Sequence, residues 1–162
     1  MPLQQLEAAG AWLGRLLLAA IFLHEAWAKL TAYDLAVTYM QAFGLPGWLL
    51  PFAIALELVG GLLVIAGLYT RVAALALALF CIATAVIFHN KFGTRNELLH
   101  FEKDLAIAGG FLVLAARGGG AWALDALRAR TKSWPPTSKM RAATSRIRIS
   151  ATCSSAPRTS PV

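Results

Sequence analysis

The stretch Leu56–His89, LELVGGLLVIAGLYTRVAALALALFCIATAVIFH, decides the fold. Two apolar runs meet at the short polar turn Tyr69-Thr70-Arg71, which forces two helices into antiparallel contact, with Arg71 able to snorkel toward lipid headgroups. Glu57 is the only acid in the stretch, and His89 closes it. Working outward, the first run begins at Trp48, and similar runs cover Ala11–Ala28 and Leu98–Ala116. Each is close to the roughly 20 residues a helix needs to cross a bilayer. The fold expected is all-α: an antiparallel bundle of four transmembrane helices at about 11–30, 48–68, 71–89 and 98–117.

Threading the helices up and down gathers the ionisable residues at one face. The first helix delivers His24, Glu25 and Lys29 there, and the second starts from that face and carries Glu57 inward. The third brings back His89 and Asn90, and the fourth leaves with His100, Glu102, Lys103 and Asp104 in its first turns. A charge at bilayer depth costs on the order of 3 kcal/mol unless paired or hydrated, so the cluster marks a candidate functional site. Glu57 lies roughly 14 Å below the level of Trp48 at 1.5 Å per residue, near the midplane. Its expected partner is Lys29 or Lys103; otherwise it must be protonated.

Glu25 and Lys29 share a helix face in the favourable order for an ion pair, and His100, Lys103 and Asp104 line one face of the fourth helix. The uncharged run Leu105–Ala116 spans only about 18 Å, so a fourth crossing demands that Glu102, Lys103 and Asp104 turn inward or stay hydrated. No two histidines fall at a metal-binding spacing on one helix, so no metal is expected, and no nucleotide or nucleophile motif is present. The site expected comprises Glu57, Asp104 and His89 as proton-handling groups, with Lys29, Glu25, His24, His100 and Lys103 binding a ligand. The bland alternative is that Glu57 and a lysine only clip two helices together.

Of the 162 residues 58% are hydrophobic, which excludes an ordinary soluble domain. The net charge of +7 lies wholly at the end: residues 1–126 hold seven Lys/Arg against eight Asp/Glu, whereas residues 127–162 hold eight Lys/Arg and no acid. This divides the chain into a four-helix membrane domain, 1–126, and a disordered, basic, cytoplasmic tail, 127–162, that touches anionic lipid; no nucleic-acid partner is expected. Basic residues of the tail, with Arg71, put both termini inside and the polar cluster in the outer half. The N-terminus lacks a positive n-region and a cleavage site, so the first helix is expected to be retained. Between the first two helices, Tyr33, Ala36, Val37 and Met40 repeat at helical spacing up to Gly44 and Pro46-Gly47, which predicts a short interfacial helix above the cluster. Gly60, Gly61, Gly67, Gly109 and Gly110 are expected to let helices approach closely. Cys81 and Cys153 fall in different parts of the fold, so Cys81 is read as a packing residue.

The segments LGRLLLAAIFLHEAWAKL, LELVGGLLVIAGLYTRVAALALALFCIATAVIFH and EKDLAIAGGFLVLAARGGGAWALD resemble the DoxX family of small bacterial membrane proteins, over residues 11–126. The resemblance rests on Glu-x-x-Gly-Gly in the second helix, the Thr-Arg turn, the His closing the third helix and Lys-Asp-Leu opening the fourth. It implies an inner-membrane protein in redox work, similar to the membrane subunit of a thiosulfate:quinone oxidoreductase, with Lys29, Glu57, Arg71, His89, Lys103 and Asp104 at the family's polar positions. Glu25 departs from the glycine the family commonly has there. The leading expectation is therefore a membrane subunit that takes a quinone as substrate, with no covalently bound cofactor, no haem, flavin or iron–sulfur ligand set, and electrons supplied by a soluble or membrane redox partner. Alternatives are a non-catalytic scaffold recruiting redox or stress-response proteins and, less favoured, a small-molecule or proton transporter, for which the chain would form a homo-oligomer.

Overall fold

The computed structural model describes residues 3–89 and 95–132, and among them the fold is wholly helical, without strands. Helix α1 covers Leu3–Thr31, α2 Tyr33–Ala42, α3 Leu50–Ala66 behind a 3-10 turn at Gly47–Leu49, α4 Thr70–Phe88, α5 Arg95–Arg117 and α6 Leu124–Lys132. Among the described residues three segments are long and apolar enough to cross a membrane: α1, Gly47–Ala66 and α4. Helix α5, with 23 residues, reaches about 34 Å, but Glu97, His100, Glu102, Lys103 and Asp104 fill its first half.

Two boundaries differ from the sequence reading. Helix α1 begins at Leu3 rather than near residue 11, because the Gln, Leu, Glu and Ala residues ahead of the apolar run are good helix formers. At the other end α6 runs to Lys132, so the first residues of the expected disordered tail are helical. Residues 133–162, with Cys153 and the remainder of that tail, lie outside the described residues, as do Asn90 and Lys91.

Helix α1 packs along α3 and α4 along α5, while α3 and α4 meet over a shorter stretch. The main core is apolar and centres on Phe22, whose ring meets Phe111 edge-on at 5.3 Å and lies 6.5 Å from Phe80. Small residues permit the closest approaches: a Cβ at Gly60 would meet the Leu77 side chain at 3.0 Å, and one at Gly61 would meet Leu23 at 3.2 Å. Gly110 abuts Leu18 in the same way, whereas Gly109 faces open space and plays no part in packing. Beneath α2, a second cluster forms from Ala26, Met40, Leu50 and Ile54, with Ala36 and Val37 against it. The expected α2 stripe is thus buried at Met40 and half-buried at Ala36 and Val37, but Tyr33 is exposed.

The turn between α3 and α4 is held from outside. Gly67 ends α3 at φ +69°, with the Leu68 amide donating to the Leu63 carbonyl at 3.0 Å, and Tyr69 follows in the left-handed region at φ +47°. The Asp125 carboxylate accepts from the Tyr69 and Thr70 amides, both at 2.9 Å, and from the Thr70 hydroxyl at 3.0 Å. Its own amide donates to the Gly67 carbonyl at 2.9 Å. Arg15, only 1% exposed, donates to the carbonyls of Val64 at 3.5 Å and Trp122 at 3.3 Å. The end of α3 offers carbonyls that lack the regular helical partner and the negative end of its dipole, which is where a buried cation is best tolerated.

Burial tends to raise the Asp125 carboxyl, but the hydrogen bonds from Thr70 and Tyr69 and the nearby Arg128 charge outweigh it and hold it below the ordinary carboxylate range. A carboxyl depressed by folding stabilises the native state above its unfolded value, near pH 4, and that contribution is lost as the pH falls through the lower folded value. Asp125→Asn is therefore expected to melt at a lower temperature than the parent at neutral pH and to show a smaller further loss on acidification below about pH 4, read by thermal denaturation in detergent. Gly67→Ala places a Cβ on a left-handed residue and against the Arg15 guanidinium and Ala123, with an expected loss of at least about 1–2 kcal/mol in the same assay.

Candidate functional site: a buried ion pair at the wall of an apolar cavity

Glu57 sits in the middle of α3 with its side chain 3% exposed. Antiparallel packing of α1 on α3 brings Lys29 opposite, and its Nζ donates to Glu57 Oε1 at 2.8 Å and Oε2 at 3.1 Å. One turn back on α1, Glu25 Oε2 accepts from the same Nζ at 3.3 Å, while remaining 55% exposed. The partner of Glu57 is thus Lys29 rather than Lys103. Lys29 bridges a buried carboxylate and one at the protein's edge.

A second polar group faces this one from α4 and α5. His89 ends α4, and its Nδ1 lies 3.0 Å from Glu97 Oε2. The His89 and His100 rings stack at 5.1 Å and 18°. Asp104 is half-buried one turn further along α5, within electrostatic reach of His89, Lys103 and His100. Above them α2 contributes Tyr39, stacked on Phe88 at 5.4 Å; burial, and next the Glu97 charge, push its hydroxyl above the usual tyrosine range.

Between these groups lies a cavity of about 1100 Å³. Glu25, Lys29, Glu57, His89, His100, Lys103 and Asp104 all line it, together with apolar residues of α1 to α5. Seven of the expected site residues thus converge on one space. His24 does not: it is exposed on α1 and absent from the described lining, since it falls one position before Glu25 and so points about 100° away around the helix. Glu102 is likewise exposed and outside the described lining. Cys81 lies in the cavity wall, buried and unpaired by a disulfide.

Sequence reasoning overlooked three ionic residues, Glu97, Arg15 and Asp125. Glu97 carries the His89 contact, and its spacing of three before His100 was a readable signal on α5. Arg15 stands alone in an apolar run, which by itself asks for a buried acceptor.

Long apolar helices around a buried ionisable cluster define an integral membrane protein with an internal polar site. The model of the DoxX family matches residues 10–90, from α1 to the end of α4. The chain is 41% identical over 132 residues to the inner membrane protein YqjF of Escherichia coli (strain K12), covering 82% of this chain and 100% of that protein. It is 31% identical over 120 residues to the inner membrane protein YphA of the same organism, covering 70% of this chain and 86% of that one. The protein belongs to the DoxX family. No solved structure matches it. Glu25, Lys29, Glu57 and His89 fall within the matched region, while the His100, Lys103 and Asp104 side of the cavity lies beyond it.

Removing one member of a buried pair strands the other's charge, which costs about 3–5 kcal/mol, whereas replacing both with apolar groups is often neutral. Lys29→Met is therefore expected to destabilise the protein strongly and Lys29→Met/Glu57→Leu to recover most of that loss, as measured by thermal unfolding in a fixed detergent.

Proposed function

We propose that the protein is an inner-membrane subunit of a quinone-linked redox system whose cavity binds a quinone-like headgroup. The observation that carries this reading is the Lys29–Glu57 pair in the wall of a large, mainly apolar cavity. Ionisable residues at membrane depth are retained where they serve a ligand or proton pathway. In the proposed topology α5 is the fourth crossing, with His100, Lys103 and Asp104 turned to the cavity, and α2 lies in the interface as its cover. Both termini are cytoplasmic, and the cavity occupies the outer half of the bilayer.

Reducing a quinone ring to the hydroquinone takes two electrons and two protons. Glu57 or Asp104 relays the protons in this reading, while His89 and His100 hydrogen-bond to the ring oxygens and Lys29, beside Glu25, orients the head. The electrons come from a partner protein. The inner-membrane location draws on the names of both relatives.

A scaffold reading draws on the same ion pair, since Lys29–Glu57 also clips α1 to α3. The two are separated by mass spectrometry of lipids and quinones that co-purify in mild detergent. A stoichiometric quinone in the parent, depleted at least about tenfold in Glu57→Gln at matched folding, is expected. Its absence from both samples turns the assignment to the scaffold.

A further inference from the structure

We propose that the cavity opens sideways into the bilayer between α3 and α4, and that this cleft holds the apolar tail of an amphiphile whose polar head lies at Lys29–Glu57. The proposal rests on the quinone-like reading of the site and adds the class of molecule: a lipid-borne compound with a hydrocarbon chain.

Helices α3 and α4 leave their tight turn side by side and are in close contact at Gly60 and Leu77. Beyond that contact, toward the start of α3 and the end of α4, Phe52, Ala53 and Leu56 of one helix and Ala83 and Ile87 of the other line the cavity. Several of these are also reached from outside: Phe52 is 66% exposed, Ile87 37%, and Ala83 is exposed. A side chain that lines a cavity and is open to the exterior marks an opening, and the α3–α4 flank is one such opening beside that at Ile21, Glu25, Ala28 and Leu35. Both helices belong to segments long and apolar enough to cross a membrane, so on the proposed topology this opening faces lipid. Its polar side chain, Thr84, donates its hydroxyl to the Cys81 carbonyl at 2.9 Å.

The opposite wall has another character. Where α1 and α5 diverge above Leu18 and Gly110, the lining carries Glu25, Lys29, His100, Lys103 and Asp104 beside the apolar Ile21, Ala28 and Ile107. Most of the charged groups are thus gathered between α1 and α5, with Glu57 facing them from α3, whereas the outer edge between α3 and α4 is apolar apart from Thr84. An amphiphile matches that arrangement; a small polar solute does not use the apolar mouth. Volume agrees, because about 1100 Å³ lies just above the roughly 300–1,000 Å³ range of sites for drug-sized ligands, more than a single ring fills.

The test uses the full chain in nanodiscs and a fully substituted benzoquinone whose ring bears either a decyl chain with a terminal diazirine or a methyl group. Photolysis of the decyl probe is expected to label residues near 52–56 and 83–87, and excess unlabelled decyl compound to suppress that labelling. Ala83→Trp, and independently Ala53→Trp, fill the mouth from outside the ion pair. Each is expected to weaken decyl binding about tenfold and methyl binding less than about twofold, with unchanged elution as a monodisperse species. Labelling that competitor does not suppress means ordinary contact with bulk lipid and overturns the proposal. So does labelling confined to α1 and α5, or equal weakening of both compounds by the tryptophans. A decyl carboxylate with the same diazirine separates the two readings: if it labels the mouth competably while neither quinone binds, the tail cleft stands and the quinone ring falls. If neither head gives competable labelling, the cleft falls.

Discussion

A carboxylate in the middle of a membrane helix has to be neutralised where it stands, and the upper half of this protein is organised around that requirement. Glu57 is buried on α3, and among the described residues the cation paired with it, Lys29, is carried by α1, four residues after another acid. The pair fixes the register of α1 against α3 more sharply than apolar packing does. A slip of one residue would leave both charges unpaired in a medium where each costs several kcal/mol. The packing below obeys the same register, since Gly61 receives Leu23 against a backbone that alanine-sized residues keep close.

The opposite end of the bundle meets the same problem with backbone acceptors instead of a counter-ion. Arg15 is as deeply buried as Glu57, and its two terminal nitrogens donate to carbonyls at the end of α3 and in the segment leading to α6, while its Nε is left without a hydrogen-bond partner. Asp125, in the first turn of α6, occupies the amides that open α4. The α3–α4 turn is therefore gripped at its carbonyl end by a cation and at its amide end by an anion, each complementing the helix dipole it faces. Fixing the turn this firmly keeps α3 and α4 together at their lower ends while leaving their upper ends free to part around the cavity.

Much of this was legible in the chain. The apolar runs and the tight Tyr69-Thr70-Arg71 turn specify antiparallel helices because hydrophobic length and short connections leave few alternatives. The convergence of Glu25, Lys29, Glu57, His89, His100, Lys103 and Asp104 follows from direction alone, once the helices alternate. What direction does not give is azimuth. His24 and Glu102 lie at the right height but face outward, and choosing Lys29 over Lys103 for Glu57 depends on which helix packs along α3. Arg15 and Asp125 act through main-chain groups, which carry no residue type for a sequence pattern to reveal. Helix ends at Leu3 and Lys132 were hidden because polar helix formers lack an apolar period.

On the proposed four-span topology α5 is the costly crossing, and the cavity is what makes it affordable. Between membrane helices there is no hydrophobic driving force, so a helix whose first half carries Glu97, His100, Lys103 and Asp104 gains nothing from lipid on that face. Long contact with α4 holds α5 in place, and the His89–Glu97 link ties their upper ends, which leaves the His100–Asp104 face turned to the space opposite Lys29 and Glu57. Filling that space with side chains would require apolar groups against ionised ones; leaving it open lets water or a polar head solvate them. The same polar residues that make α5 a poor membrane helix thus require a hollow bundle, and a hollow bundle with one apolar flank is open to molecules already dissolved in the bilayer.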